Sequence, residues 1–263
     1  MTERLNLDHI TIVLQQPRYP ENIGSAARAA SNMGIGRLYV VNPENADPAK
    51  INKLATHAAA AIVERIRTFP DLKTALAEFN YVVGTTARLG GQRPVLNSPE
   101  AMAAKLVPLS MENRIAVVFG PEDRGLTNED LRLCHQLVHI PTAEFSSINL
   151  AQSVMILSYE IFKASLKDVD TFAPRLANRH ELDGMYDQVK EVLVRINYIN
   201  PENPDYWMNK IRRFLTRLQL RAREVSIVRG ICRQIDWYAG KNYRDGVRAG
   251  RAHTREKETP PCD

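Results

Sequence analysis

With 263 residues, 44% of them hydrophobic, the chain has enough apolar side chain for a core and enough length for one large domain and one small one. Its three scattered cysteines form no CxxC pair, no apolar run reaches eighteen residues, and residues 1–7 lack the basic-then-apolar order of a secretory leader, so the expected compartment is the cytoplasm, with no membrane span. The net charge of +5 is uneven: 17 Lys/Arg face 18 Asp/Glu up to Asp170, and 18 face 12 after it, which directs the C-terminal third at a polyanion.

In chain order, short β-branched runs predict strands at Ile10–Leu14, Leu38–Val41, Tyr81–Gly84, Ile115–Phe119 and Leu137–Ile140. Helical patterns fall between them, near Asn22–Met33, Lys53–Ala61, Leu72–Phe79, Glu100–Leu106 and Asn128–Leu133, and a longer one follows over Asn149–Leu166. Strands that are apolar without alternation are buried on both faces, so the expectation is an α/β domain over residues 1–168: a parallel sheet with helices on both sides. Asp, Thr and Pro mark residues 169–176 as a linker. The period then becomes purely helical. Leu182, Met185, Tyr186, Val189, Leu193 and Ile196 form one stripe, Met208, Ile211, Leu215 and Leu218 a second, and Val228, Ile231, Ile235 and Tyr238 a third. Together they predict a small all-α bundle over 177–240. Gly, Thr, Pro and basic residues predict a disordered basic tail over 241–263.

The turn after the first strand carries no GxGxxG, and no GxxxxGK[ST] occurs anywhere, which argues against dinucleotide-binding Rossmann domains, P-loop enzymes and ordinary Rossmann-type methyltransferases. Gly34 and Gly36 lie between a helix and a strand, where glycine serves as a C-cap. Three other segments stand out. Asn22-Ile23-Gly24-Ser25-Ala26-Ala27-Arg28 opens a helix with Asn22 as its expected N-cap, and its small residues permit close approach to another backbone. Val117 to Leu126 ends a buried strand in the turn Gly120-Pro121-Glu122-Asp123-Arg124-Gly125, at the carboxyl end where open α/β sheets bind ligands. Ser146, Ser147 and Asn149 cluster between a strand exit and a long helix, more polar groups than capping needs. His135 and His139 straddle a helix-to-strand transition without an HExxH or CxxC partner, so no metal site is expected. In the bundle, Lys210, Arg212, Arg213, Arg217, Arg221 and Arg223 form a basic stripe suited to RNA phosphates. Tyr206 and Trp207 stand at its start, where Trp207 reads as core.

In this order and spacing the three segments resemble the motifs of SPOUT methyltransferases, the RNA ribose-methylating branch, and the resemblance runs on through the bundle, from about Leu7 to Gly240. It implies a parallel sheet whose C-terminal part is threaded into a trefoil knot, and a homodimer with each active site at the subunit interface. It implies S-adenosyl-L-methionine as cofactor, held by Thr85, Thr86, Ala87, Gly120, Ile140, Ser146, Ser147 and Ile148. The reaction implied is methyl transfer to a ribose 2′-oxygen of tRNA, at cytidine or uridine 32 of the anticodon loop, without metal. Alternatives are a ribosomal-RNA 2′-O-methyltransferase of the same fold and a catalytically inactive RNA-binding dimer. Within the resemblance Arg28 positions the target nucleotide, Asn22 orients Arg28 or the ribose, Glu122 holds Arg28 by a charge-assisted pair, and Ser147 and Asn149 complete the site. The group that removes the proton stays open, because a guanidinium is a poor base on its own.

Overall fold

The computed structural model describes residues 5–87, 95–144, 147–167 and 173–258, apart from the side chains of Ala58 and of residues 249–258. These form two compact units that divide between His180 and Glu181. In the first, seven strands alternate with six helices. The strands are β1 (Ile10–Gln15), β2 (Leu38–Val41), β3 (Arg67–Phe69), β4 (Tyr81–Thr85), β5 (Val95–Leu96), β6 (Ile115–Phe119) and β7 (Gln136–Val138). The helices are α1 (Pro20–Asn32), α2 (Pro48–Val63), α3 (Leu72–Leu76), α4 (Pro99–Leu109), α5 (Asn128–Arg132) and α6 (Leu150–Ser165).

The sheet runs β3-β2-β1-β6-β4-β7-β5 and every pairing is parallel. Side chains alternate across it, and both sets are covered. Ile10, Ile12, Leu14, Ile115, Val117 and Phe119 share one cluster with residues of α1, α2, α4 and α6. Val13, Val82, Ala116 and Val118 share the other with residues of α3 and with Leu126. Full burial of such side chains contributes about 1.5–3 kcal/mol each, which is why the central strands are apolar at consecutive positions.

β6 lies between β1 and β4, although it follows both in sequence. It pairs Val117 with Ile12 on one side and with Val83 on the other. The loops leaving β1, β4, β6 and β7 therefore converge at one edge of the sheet, where its strand order reverses.

Close approach is visible at α1. A Cβ on Gly24 would lie 2.1 Å from the Ile51 carbonyl oxygen and 3.2 Å from the Ala55 nitrogen of α2, so glycine alone admits this contact. Gly24→Ala must push two helix backbones apart and is expected to destabilise the protein by about 1–3 kcal/mol, read from urea or thermal unfolding. A variant as stable as the parent would mean that the two helices can separate at no cost. Gly34, at φ +72°, follows the last turn of α1 as the C-cap pattern requires.

Several expectations are corrected. β3 and β5 were not foreseen: β3 is largely exposed and starts with Arg67, and β5 is two residues long, so neither carries an apolar run. α2 is interrupted at Thr56, whose φ of 57° is not helical. Asn22 is not an N-cap; Pro20 opens α1 and Tyr19 occupies the cap. The linker expected over 169–176 is, in its described part, docked. Leu176 is buried, its N–H donates to Asn113 Oδ1 at 2.7 Å, and its carbonyl accepts from Asn80 Nδ2 at 2.8 Å. Side-chain amides supply there the pairing that a ladder would otherwise give, which a polar composition conceals.

The second unit is helical, with α7 (Arg179–Arg195), which begins in the first unit, followed by α8 (Pro204–Leu218) and α9 (Ala222–Glu258). Lys190 pairs with Asp205, Arg195 with Asp236, and Gln188 with Arg229. α9 buries Val225 and Cys232, while Ile231, Ile235 and Tyr238 of the expected stripe are exposed. The helix also continues through 241–258, so the expected disordered tail is corrected over those residues; Arg, Lys and Ala sustain a helix there in spite of the glycines.

Candidate active site

The loops at the carboxyl edge enclose a cleft of about 480 Å³. Thr85 ends β4 and Thr86 and Ala87 follow it, Gly120 to Leu126 follow β6, and Val138 ends β7 with His139 and Ile140 after it; with Ser147, Ile148, Leu150 and Ser153 they line it. The described candidates for cofactor binding, Thr85, Thr86, Ala87, Gly120, Ile140, Ser147 and Ile148, are thus brought to one cavity, and Ser146 lies outside the described residues. Thr85 Oγ1 donates to the Val118 carbonyl at 3.2 Å and the Thr86 N–H to that of Val138 at 3.0 Å, which ties the β4 loop to both neighbours. His139 is buried, and its Nδ1 meets the Thr86 carbonyl at 3.1 Å. A carbonyl only accepts, so this nitrogen carries the proton. His135 instead stacks on Tyr81 and takes the Val82 N–H on Nδ1, so the two histidines serve different contacts.

A second recess of about 590 Å³ adjoins the first and shares Glu122, Ser147 and Ile148 with it; Tyr19, Glu21, Asn22 and Asn149 complete its wall. Its polar groups form a chain with a fixed direction. Asn149 caps α6, its Oδ1 accepting the Ala151 N–H at 2.8 Å, so its amide nitrogen is the group that donates to Asn22 Oδ1, at 3.2 Å. The Asn22 amide nitrogen then donates to Glu122 Oε1 at 2.6 Å. The other carboxylate oxygen, Oε2, accepts the Arg18 N–H at 3.1 Å. Both oxygens of Glu122 accept, the arrangement of an ionised carboxylate with lone pairs left for a further donor.

Arg28 is not part of this constellation. It is exposed, no hydrogen bond or ion pair holds it among the described residues, and it lies about 9 Å along α1 and about 120° around the helix from Asn22. Within one chain Glu122 is held by the Asn22 amide and the Arg18 N–H and not by Arg28, and Asn22 orients Glu122.

The sequence reading missed Arg18. Its guanidinium reaches Glu44 at 3.3 Å and Asp123 at 3.2 Å, and these two carboxylates, Glu44 more strongly, hold its pKa above the ordinary value. Arg124 donates to Gln16 Oε1 at 2.7 Å. The loops after β1 and β6 are thereby fastened to each other. The prior signals were opposite-charge pairs 26 and 105 positions apart, which spacing does not reveal.

In the second unit Lys210, Arg213 and Arg217 are exposed along one face of α8, and Arg221 and Arg223 are exposed beyond it. Arg212 is half-buried and turned over the Tyr186 ring, 5.5 Å from its centroid. Trp207, read as core, is 43% exposed, with the Lys210 ammonium 4.6 Å from its ring centre.

A parallel sheet with two adjoining recesses at its carboxyl edge, and an oriented carboxylate between them, has its cavity where open α/β sheets bind ligands. The chain belongs to the SpoU rRNA methylase family, whose model matches residues 9–159. A model of the C-terminal domain of the tRNA methyltransferase TrmJ matches residues 180–247. The chain is 35% identical over 241 residues to the tRNA (cytidine/uridine/adenosine-2'-O-)-methyltransferase TrmJ of Pseudomonas aeruginosa (strain UCBPP-PA14), covering 86% of this chain and 93% of that one. It is 34% identical to the tRNA (cytidine/uridine-2'-O-)-methyltransferase TrmJ of Pectobacterium atrosepticum, over 86% and 95% of the two chains. The crystal structure of TrmJ from Z. mobilis ZM4 superposes with a TM-score of 0.74 at 30% identity, over 86% of this chain and 98% of that one. No helix among the described residues is long and apolar enough to cross a membrane.

Proposed function

We propose that the protein is an S-adenosylmethionine-dependent tRNA 2′-O-methyltransferase that methylates the ribose of cytidine or uridine at position 32 of the anticodon loop. The observation that carries this reading is the pair of recesses joined at Glu122, one for the methyl donor and one for the ribose. The names of the relatives and the match of residues 180–247 to a TrmJ C-terminal domain support tRNA over ribosomal RNA. The intact Asn149–Asn22–Glu122 chain argues against an inactive binding protein.

The inner cleft fits the cofactor. Its size lies in the range of small-molecule sites, and it is walled by small residues at positions such as Gly120, where a Cβ would meet backbone at 2.3 Å. Thr85–Ala87, Gly120, Ile140 and Ser147–Ile148 would hold it, with Ser146 of the same segment. When bound it supplies an electrophilic sulfonium methyl whose departure requires no metal. The protein's part is to orient the 2′-hydroxyl, exclude water and accept the proton. Glu122, aimed by Asn22 and the Arg18 N–H, is placed to receive a hydrogen bond from that hydroxyl. Arg28 is exposed and lines neither recess of its own chain, so the homodimer is part of the proposal: a second copy supplies Arg28 to the phosphate and ribose of the target. The exposed bases of α8 and Arg221 and Arg223 hold the tRNA through its phosphates. The knotted threading belongs to the same reading, as does a cytoplasmic location.

The test is a matched pair of full-length tRNA transcripts, one with ribose and one with 2′-deoxyribose at position 32, incubated with methyl-labelled cofactor. Label is expected in the first and not in the second; equal labelling moves the target to another nucleotide.

A further inference from the structure

The turn Pro17-Arg18-Tyr19-Pro20 between β1 and α1 breaks a local rule. Its third residue is the N-cap of α1, a position that favours Ser, Thr, Asp or Asn because their side-chain oxygens take a free helix N–H. Tyrosine offers no such oxygen within reach, and Tyr19 makes no capping bond. Its ring adds nothing to the core either, since the residue is 53% exposed. A large aromatic side chain thus stands in solvent at the edge of the candidate site, where a small polar one would serve the helix better. Departures of this kind concentrate where function overrides local preference.

The ring is also held on a rigid base. Pro20 confines the residue before it to extended backbone, and Tyr19 has φ −110° and ψ 121°. Pro17 and Pro20 are buried. Arg18 is tied down by its N–H to Glu122 and by its guanidinium to Glu44 and Asp123, with that guanidinium 5.9 Å from the centre of the Tyr19 ring. Little freedom remains beyond the two side-chain torsions of Tyr19 itself. The ring borders the outer recess, whose floor holds Asn22, Glu122 and Asn149.

We infer that Tyr19 is a stacking shelf for the nucleobase of the target nucleotide, which sets that nucleotide's ribose over Glu122. The inference rests on the reading of the outer recess as the ribose site. Every nucleobase has a π-face, so the shelf accepts an unpaired base of any identity and rejects one still stacked in a helix. It selects an unstacked nucleotide and leaves base identity to other groups.

The experiment compares methyl transfer by the parent, Tyr19→Ala and Tyr19→Phe on a full-length tRNA whose methylated nucleotide has been mapped. The same tRNA with that nucleotide made abasic, its 2′-hydroxyl retained, is the second substrate. Tyr19→Ala is expected to lower kcat/KM on intact tRNA by about tenfold to a hundredfold, while Tyr19→Phe stays within about twofold, because stacking needs the ring and not the hydroxyl. Cofactor affinity and the unfolding midpoint of Tyr19→Ala should match the parent, since alanine removes neither a cap bond nor a core contact. Removing the base should weaken the parent by a similar factor and cost Tyr19→Ala nothing further. Parental activity of Tyr19→Ala, or two losses that multiply, overturns the inference. A parent that transfers no methyl to tRNA removes instead the reading on which the inference stands.

Discussion

Arg28→Ala is expected to lower methyl transfer to tRNA by about a hundredfold to a thousandfold, the range for removing one group that fixes the reacting centre. The unfolding midpoint and the cofactor affinity should not move. Arg28 is exposed on α1, no hydrogen bond or ion pair holds it among the described residues, and it lines neither recess. Surface positions of that kind tolerate substitution, so lost activity cannot be assigned to lost fold. The sharper measurement mixes Arg28→Ala with Glu122→Ala, each inactive alone. If every site combines Glu122 of one copy with Arg28 of another, a mixed dimer regains one site of its two. Random assortment then restores roughly a quarter of parental activity, as two-fold symmetry requires. No recovery on mixing would place Arg28 and Glu122 in the same subunit's chemistry, and an active Arg28→Ala would place Arg28 outside the reaction.

Gly120→Ala should weaken S-adenosylmethionine binding by about tenfold to a hundredfold. A Cβ at this position would lie 2.3 Å from both the Gly125 carbonyl carbon and the Leu126 nitrogen, and 2.8 Å from the Gly125 Cα, separations that no relaxed structure contains. These atoms are backbone, so no side chain can swing away; the loop from Gly120 to Leu126 must open. That loop forms one wall of the inner cleft. In the free protein much of the strain is relieved by opening, and binding must restore it. Overpacking strain of about 1–3 kcal/mol charged to the bound state corresponds to that loss of affinity. Calorimetric titration with the cofactor reads it directly, and parental affinity would show that this loop does not form the cofactor's wall.

Much of the site could be read before the fold was known, because its parts are local. Gly120 and Glu122 follow a buried strand, Ser147 and Asn149 precede a long helix, and Thr85 to Ala87 end a third apolar run; each announces a turn at a strand's carboxyl end. The partners within the site could not be read. The sequence offered Arg28 as the partner of Glu122, and the pairing of Glu122 with the Asn22 amide and the Arg18 N–H within one chain depends on where α1 starts. Pro20 moves that start two residues ahead of Asn22, which frees the Asn22 side chain from capping and turns it toward the carboxylate.

The sequence by itself determined the α/β character of the first unit, its five apolar strands, the small-residue face of α1 and the helical nature of the C-terminal third. These follow from period, apolar runs and residue shape, which act over a few residues and are written locally. Tertiary structure alone decided the insertion of β6 between β1 and β4, which brings four loops to one edge; pairing partners distant in sequence leave no periodic trace. It also decided which stripe of α9 is inward. Val225 and Cys232 lie two turns apart and are buried, whereas of the expected stripe Val228 is half-buried and Ile231, Ile235 and Tyr238 are exposed. Period identifies both as candidate faces and ranks the larger side chains first. Tertiary packing selects the smaller set, because the space available, and not hydrophobicity alone, determines which face is buried.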